Sequence, residues 1–226
     1  MDQIRFFNTA LPQAAITALY NETTTTATSA SIDYQFANPN SIAYYKMSDA
    51  TDQLGNHDGT PTNVNFSTEG KFGFAGAFNG SSSYMQVNSI FSSNPSAFSV
   101  SVWFKTTSNG NILEIGSSSI SSAQNRIQLY NGTLYVSLNG GNGGFATTSA
   151  TGLQDGNWHH IVAVWDDGSV TNGIKIYIDG ASTPTAQANS TQSFNSTSTL
   201  FIGANNDYSA GIRQYLSLIH ISEPTR

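Results

Sequence analysis

The chain has 226 residues, 38% of them hydrophobic and only 10% charged, with a net charge of −6 and no cysteine. That length can bury one sizeable core, but nucleic-acid binding draws on clustered Lys and Arg, and the eight basic residues here are scattered. Disulfides and thiolate metal sites are excluded, and no apolar stretch approaches the ~20 residues that span a bilayer.

The surface must be built from Ser, Thr, Asn, Gln and Gly, a style that suits an extracellular or virion surface. Residues 2–7 read as a strand and residues 12–20 as a short helix. Pro12 fits the first helical turn, where its missing N–H costs nothing, and Ala15, Ile16, Leu19 and Tyr20 form one apolar face. Thr23-Thr24-Thr25-Thr26-Ala27-Thr28-Ser29 is a low-complexity polar run that reads as a linker.

From about Ser41 onward, short alternating strands separated by turn signals predict a two-sheet, all-β sandwich. In residues 97–105, Phe98, Val100, Val102 and Phe104 share one face, opposite Ser99, Ser101, Trp103 and Lys105. Residues 126–130 and 133–138 flank Asn131-Gly132, a hairpin signal because both turn positions take positive φ. Residues 158–166 alternate Trp158, His160, Val162 and Val164 against His159, Ile161, Ala163 and Trp165. In residues 173–179, Ile174, Ile176 and Ile178 oppose Lys175 and Tyr177, and Asp179-Gly180 makes the next turn. Residues 199–203 supply a further strand. Residues 216–226 continue no pattern and resemble a translated sequencing adapter, so His220 and Glu223 carry no functional expectation.

Two groups of residues are candidates for a site. Asp49, Asp52, Asn56 and Asp58 crowd hard oxygen donors into one Gly-containing loop, which reads either as a Ca²⁺ site or as an Asx-rich turn held by its own side chains. Trp103, Tyr135, Trp165 and Tyr177 lie opposite the clearest apolar stripe of their strands. They are either stacking platforms for sugar rings or the cover of a half-buried second face. His159 and His160 point to opposite sides of a regular strand and cannot chelate one ion together. The loop at residues 139–144 either lines a binding rim or is simply a loop.

Several motifs, in order, carry a resemblance. They are Tyr45-Lys46-Met47, Asp49-Ala50-Thr51-Asp52, Gly55-Asn56-His57-Asp58-Gly59-Thr60, Lys71-Phe72-Gly73, Ala77-Phe78-Asn79-Gly80, Phe98-Ser99-Val100-Ser101-Val102-Trp103, Asp155-Gly156-Asn157-Trp158-His159-His160 and Ile176-Tyr177-Ile178-Asp179-Gly180. Over residues 41–203 the chain resembles the laminin-G-like, concanavalin A-like jelly-roll domains. The resemblance implies an antiparallel jelly-roll sandwich with one short N-terminal helix, a Trp-His-His stretch that serves packing, and a rim calcium near Asp52 and the loop before Gly59, with Asp2 a further ligand. Glucanases of that superfamily carry a Glu-x-Asp-x-x-Glu strand, because retaining hydrolysis needs two carboxyl groups ~5 Å apart. Glu114 has no acidic partner at i+2 or i+4, so no enzyme is expected.

Residues 2–11 and the helix after them look like the closing strand and helix of the same family, placed at the opposite end of the chain. The expected organisation is therefore residues 1–22 from a preceding repeat, a linker at 23–35, a sandwich at 36–215 lacking its own last strand, and an artefactual tail at 216–226. Residues 2–7 would then fill the vacancy left by that last strand. The function implied is a carbohydrate- or surface-binding adhesion module, of a phage tail or other extracellular surface, whose partners are a glycan or cell-surface ligand and neighbouring repeats. The alternatives are a spacer repeat and an accessory domain of a secreted glycan-degrading enzyme.

Overall fold

Alternation of apolar and polar residues becomes two stacked antiparallel sheets in a computed structural model, which describes residues 1–22, 40–116, 124–138, 144–149, 151–166, 171–190 and 199–204. In chain order the elements are β1 (Asp2–Phe7), α1 (Gln13–Tyr20), β2 (Ser41–Tyr45), β3 (Thr60–Thr62), β4 (Asn65–Glu69), β5 (Phe74–Ala77), β6 (Tyr84–Val87) and β7 (Ala97–Phe104). They continue with β8 (Gly110–Gly116), β9 (Gln124–Tyr130), β10 (Thr133–Ser137), β11 (Phe145–Ser149), β12 (His159–Asp166), β13 (Ile174–Ile178), β14 (Ala186–Ala188) and β15 (Thr199–Ile202). One sheet has the order β14-β13-β12-β7-β1-β2, the other β11-β10-β9-β8-β15-β6-β3, and β4 pairs with β5 beside them. This is the expected all-β sandwich with one short helix. The linker at 23–35 and the tail at 216–226 lie outside the described residues, as do residues 139–143.

The inward faces follow from the alternation. Phe98, Val100, Val102 and Phe104 of β7 meet Ile127, Leu129, Leu134 and Val136 of the opposite sheet, all of them buried. Trp165 joins this interior rather than the outer side of β12. Its ring stacks on Phe98 at 4.3 Å and 9°, and its indole N–H donates to the Ser137 carbonyl at 3.2 Å, which satisfies the polar end of a buried Trp. Two turns take the mirror-image form that matches strand twist. Asn131 and Gly132 have φ of 47° and 72°, and Asp179 and Gly180 have 49° and 73°.

β1 lies in the middle of the six-stranded sheet, antiparallel to β2 on one side and β7 on the other. Phe6 faces Ala43 and Val100, and Arg5 faces Tyr44 and Ser101. Every residue of β1 is buried. Backbone irregularities interrupt both of its ladders, between Asp2 and Arg5 toward β7 and between Phe6 and Phe7 toward β2. After β1 the chain turns back, and α1 lays Ala15, Ile16 and Leu19 on the outer side of the same sheet, against Phe7, Val162, Val164 and Tyr177. The six-stranded sheet is therefore apolar on both faces around β12, and β12 reads as a nearly continuous buried run.

Candidate ligand-binding site

The outer face of the six-stranded sheet was one candidate platform, and the helix covers it. Trp103 is only 3% exposed. Tyr20 stacks on its ring at 5.6 Å and 15°, Phe72 meets it edge-on at 5.8 Å, and the Lys71 ammonium lies 4.7 Å from the ring centre. Tyr177 is 8% exposed beneath α1. Together with the interior Trp165, these positions correct the expectation of open stacking surfaces. The aromatic faces are already taken by the chain's own side chains.

Beside Trp103 the covered face is polar. His160 Nε2 shares a hydrogen bond with Ser101 Oγ at 2.8 Å. Burial, with the nearby Arg5 charge, pulls this imidazole down to about 3, so it is neutral at ordinary pH. Arg5 Nη2 reaches Glu22 at 2.6 Å and Gln3 Oε1 at 3.0 Å, and the guanidinium stands 4.7 Å over the Tyr44 ring. The Tyr44 hydroxyl donates to Gln3 Oε1 as well.

The outer face of the seven-stranded sheet is built differently. Cross-strand partners project to the same side, so the register assembles Thr60, Gln86, Phe201, Glu114, Arg126, Ser137 and Phe145 into one row. Asn111, Gln128, Tyr135 and Thr147 form a second row beside it. Phe145 is 53% exposed and lies 6.3 Å from Tyr135, ring centre to ring centre. Glu114 is fully buried rather than a surface carboxylate, with Arg126 Nε 3.6 Å away. It is the only carboxylate in the two rows, where two-carboxylate glycoside hydrolysis would need a second within ~5 Å. Of the four aromatic candidates, only Tyr135 stands on a partly open face. The signal that sequence reading missed was Phe145, whose strand begins beside the glycine-rich loop and showed no clear alternation.

The acidic loop closes on itself. Asp52 Oδ1 accepts the Tyr44 and Leu54 N–H groups at 2.8 and 3.1 Å, and Oδ2 accepts those of Asn56 and His57, both at 3.1 Å. Asp58 Oδ1 accepts the Asp52 N–H at 2.9 Å, and Asp49 Oδ1 accepts that of Thr51 at 2.9 Å. Tyr45 donates its hydroxyl to the His57 carbonyl at 2.6 Å, and burial together with the Asp52 and Asp58 charges drives its phenol upward. Asp2 serves a different turn, accepting the Phe72 N–H at 2.8 Å, and burial raises its carboxyl. Asp2, Asp52, Asn56 and Asp58 thus do not fit a calcium ion in this arrangement. The four lone-pair sites of Asp52 already hold backbone donors, and no group of three or more His, Cys, Asp or Glu residues able to hold a metal occurs among the described residues. What forms is the Asx-rich turn.

The two histidines divide as strand geometry requires. His159 Nδ1 contacts Asp179 Oδ2 at 2.8 Å and Nε2 contacts Asp155 Oδ1 at 3.1 Å, while Asp179 Oδ1 accepts the His160 N–H at 2.8 Å. Burial pulls the His159 imidazole down, but its bonds to Asp179 and Asp155 outweigh burial and raise it. The stretch is a tie between two turns, through Asp155 and Asp179.

With this geometry in hand, the chain can be placed among known proteins. Residues 79–220 match a family model described as the concanavalin A-like lectin/glucanases superfamily. Among solved structures, the chain is similar to domains LG4-5 of the mouse laminin alpha1 chain at 24% identity and a TM-score of 0.47, covering 63% of this chain and 37% of that one. A structure titled as the crystal structure of the receptor binding domain is 16% identical at a TM-score of 0.49, covering 67% and 40%. The LG1-3 region of the laminin alpha2 chain is 15% identical at 0.38, covering 57% and 26%. The chain thus spans less than half the length of each. No curated protein sequence matches it.

Proposed function

The chain belongs to the concanavalin A-like lectin/glucanases superfamily, and from that premise we propose that it is a non-catalytic adhesion module binding a glycan or other surface ligand outside the cell. The observation that carries this reading is the outer face of the seven-stranded sheet. Arg126 and Tyr135 stand on adjacent strands there, beside the exposed Phe145. A guanidinium that hydrogen-bonds hydroxyls, set next to rings that stack on apolar sugar faces, suits saccharide recognition. One carboxylate in that face suits binding and lacks the second group that hydrolysis needs.

The setting we propose is a tandem-repeat adhesin on a phage tail or another extracellular surface, in which residues 1–22 descend from a preceding repeat. The low charge and the Ser/Thr/Asn-rich composition support that setting. No helix among the described residues is long and apolar enough to cross a membrane. The test is a glycan array probed with the chain and with Tyr135→Ala and Arg126→Ala variants. Glycan-dependent signal that falls about tenfold in either variant supports the reading. Signal unchanged in both, or none from the parent chain, overturns this face as the site.

A further inference from the structure

Resting on the reading of the seven-stranded sheet's outer face as a glycan site, we infer that its ligand is a linear, uncharged saccharide chain, laid diagonally across β9, β10 and β11. The register draws the line it follows. Tyr130 pairs with Thr133, and Phe145 pairs with Ser137, while Tyr135 stands on β10 midway between those two positions. Tyr135 is therefore the diagonal neighbour of Tyr130 on one side and of Phe145 on the other, all three on the outer face.

Each diagonal step spans about 7–8 Å, so the two ends of the line stand on the order of 15 Å apart. A single sugar is about the size of one tyrosine ring and can cover only one of the three aromatics. Several linked sugars can cover them all. The end positions are the open ones: Tyr130 is 43% exposed and Phe145 is more exposed still, with Tyr135 half-buried between them. Tyr130 adjoins the exposed Asn131-Gly132 turn, and Phe145 lies on β11, the edge strand of its sheet. The line thus runs from one margin of the face to another, which suits a chain passing over the sheet.

Charge decides the class of sugar. Arg126 is the only charged residue in β9, β10 and β11, and its guanidinium lies 3.6 Å from the buried Glu114 carboxylate. The two charges answer each other, so no positive field draws an anionic sugar to these strands. With a net charge of −6 on the whole chain, an acidic polysaccharide would be repelled. What borders the rings is hydroxyl: Thr133 pairs with Tyr130 and Ser149, and Thr147 pairs with Tyr135. Hydroxyls both donate and accept, as those of a neutral sugar do, while the rings meet its apolar faces.

The test titrates the full chain, by calorimetry, with cello-, manno-, chito- and maltooligosaccharides from disaccharide to hexasaccharide, beside oligogalacturonates of the same lengths. In at least one uncharged series, affinity should rise about tenfold or more with length, because each further ring contact is made by a ligand already held. Tyr130→Ala should weaken the hexasaccharide about fivefold and leave the disaccharide unchanged, since the shorter ligand sits over Tyr135 and Phe145. Tyr130→Thr, which removes the ring but favours a strand, should repeat that result, and Tyr135→Ala should weaken both ligands. No binding in any uncharged series, equal affinity at all lengths, parent-like hexasaccharide binding by both Tyr130 variants, or tighter binding of the oligogalacturonates overturns the inference. Weakening in Tyr135→Ala without length dependence would overturn the extended chain and keep the face as a site; binding unchanged in Tyr135→Ala would overturn the site as well.

Discussion

The two sheets present outer faces of opposite character, although both come from strands that alternate in the same way. On the six-stranded sheet, Trp103, His160, Val162, Val164 and Tyr177 all point away from the other sheet and all are buried, because α1 and its flanking residues lie over them. On the seven-stranded sheet, Tyr135 is only partly covered and Phe145 is open. Alternation tells a reader that a strand has two sides. What stands against each side is decided by elements far away in the chain, here a helix that precedes β12 by about 140 residues.

The largest test of this contrast places a charge on the covered face. Val162→Asp would bury a carboxylate between β12 and α1 with no partner, and should unfold the protein or cost about 4–5 kcal/mol in denaturant titration. A loss under about 1 kcal/mol would mean that the helix does not seal that face in solution.

Acid should separate the faces next. His160 has its ordinary value of 6.5 when unfolded and about 3 when folded, so the unfolded chain binds the extra proton. Its contribution is fully present above pH 6.5 and is lost as the pH falls toward 3, by up to about 5 kcal/mol. His159 runs the other way: its raised value stabilises at pH below 6.5 and the benefit fades as pH rises through its folded value. A His160→Gln variant should flatten the slope of stability against pH between 6.5 and 3. An unchanged slope would show that His160 is hydrated rather than covered.

Most of the strands could be read directly from residues. The stripe of Phe98, Val100, Val102 and Phe104 gave β7, Asn131-Gly132 gave the β9–β10 hairpin, and the three isoleucines gave β13. These are local signals, and local physics makes them: side-chain alternation and positive φ in a tight turn. β4 and β5 escaped, because Asn65–Glu69 is mostly polar and its pairing with Phe74–Ala77 is interrupted by a bulge. The site was less legible. Trp165 belongs to the interior because Phe98 lies across the sheet at its register position and takes its ring. Oxygen-rich spacing around Asp52 was visible, but spacing cannot tell whether four backbone N–H groups or a cation will occupy a carboxylate.

That distinction is testable at an intermediate size. Asp52→Ala strips the acceptor from Tyr44, Leu54, Asn56 and His57 at once, and should cost about 2–4 kcal/mol, since charge-assisted bonds are lost and partly buried donors are left behind. The parent chain's melting temperature should be the same with a chelator as with millimolar calcium. A rise of several degrees on adding calcium would instead mean that the loop opens to take the ion.

The smallest expected change in stability belongs to Tyr135, and its smallness is what makes it informative. The ring is half-buried on the outer face, with Phe145 as its aromatic neighbour. Cross-strand aromatic pairs of this kind contribute roughly 0.2–1 kcal/mol, so Tyr135→Ala should leave denaturant stability within about 1 kcal/mol of the parent. A ligand that stacks on the ring would lose a larger share of its binding, because its contact area is small and concentrated. If the variant stays folded and glycan signal falls, the open face is the working surface. If the variant is destabilised by 3 kcal/mol or more, Tyr135 is covered as thoroughly as Trp103, and the difference between the two sheets disappears.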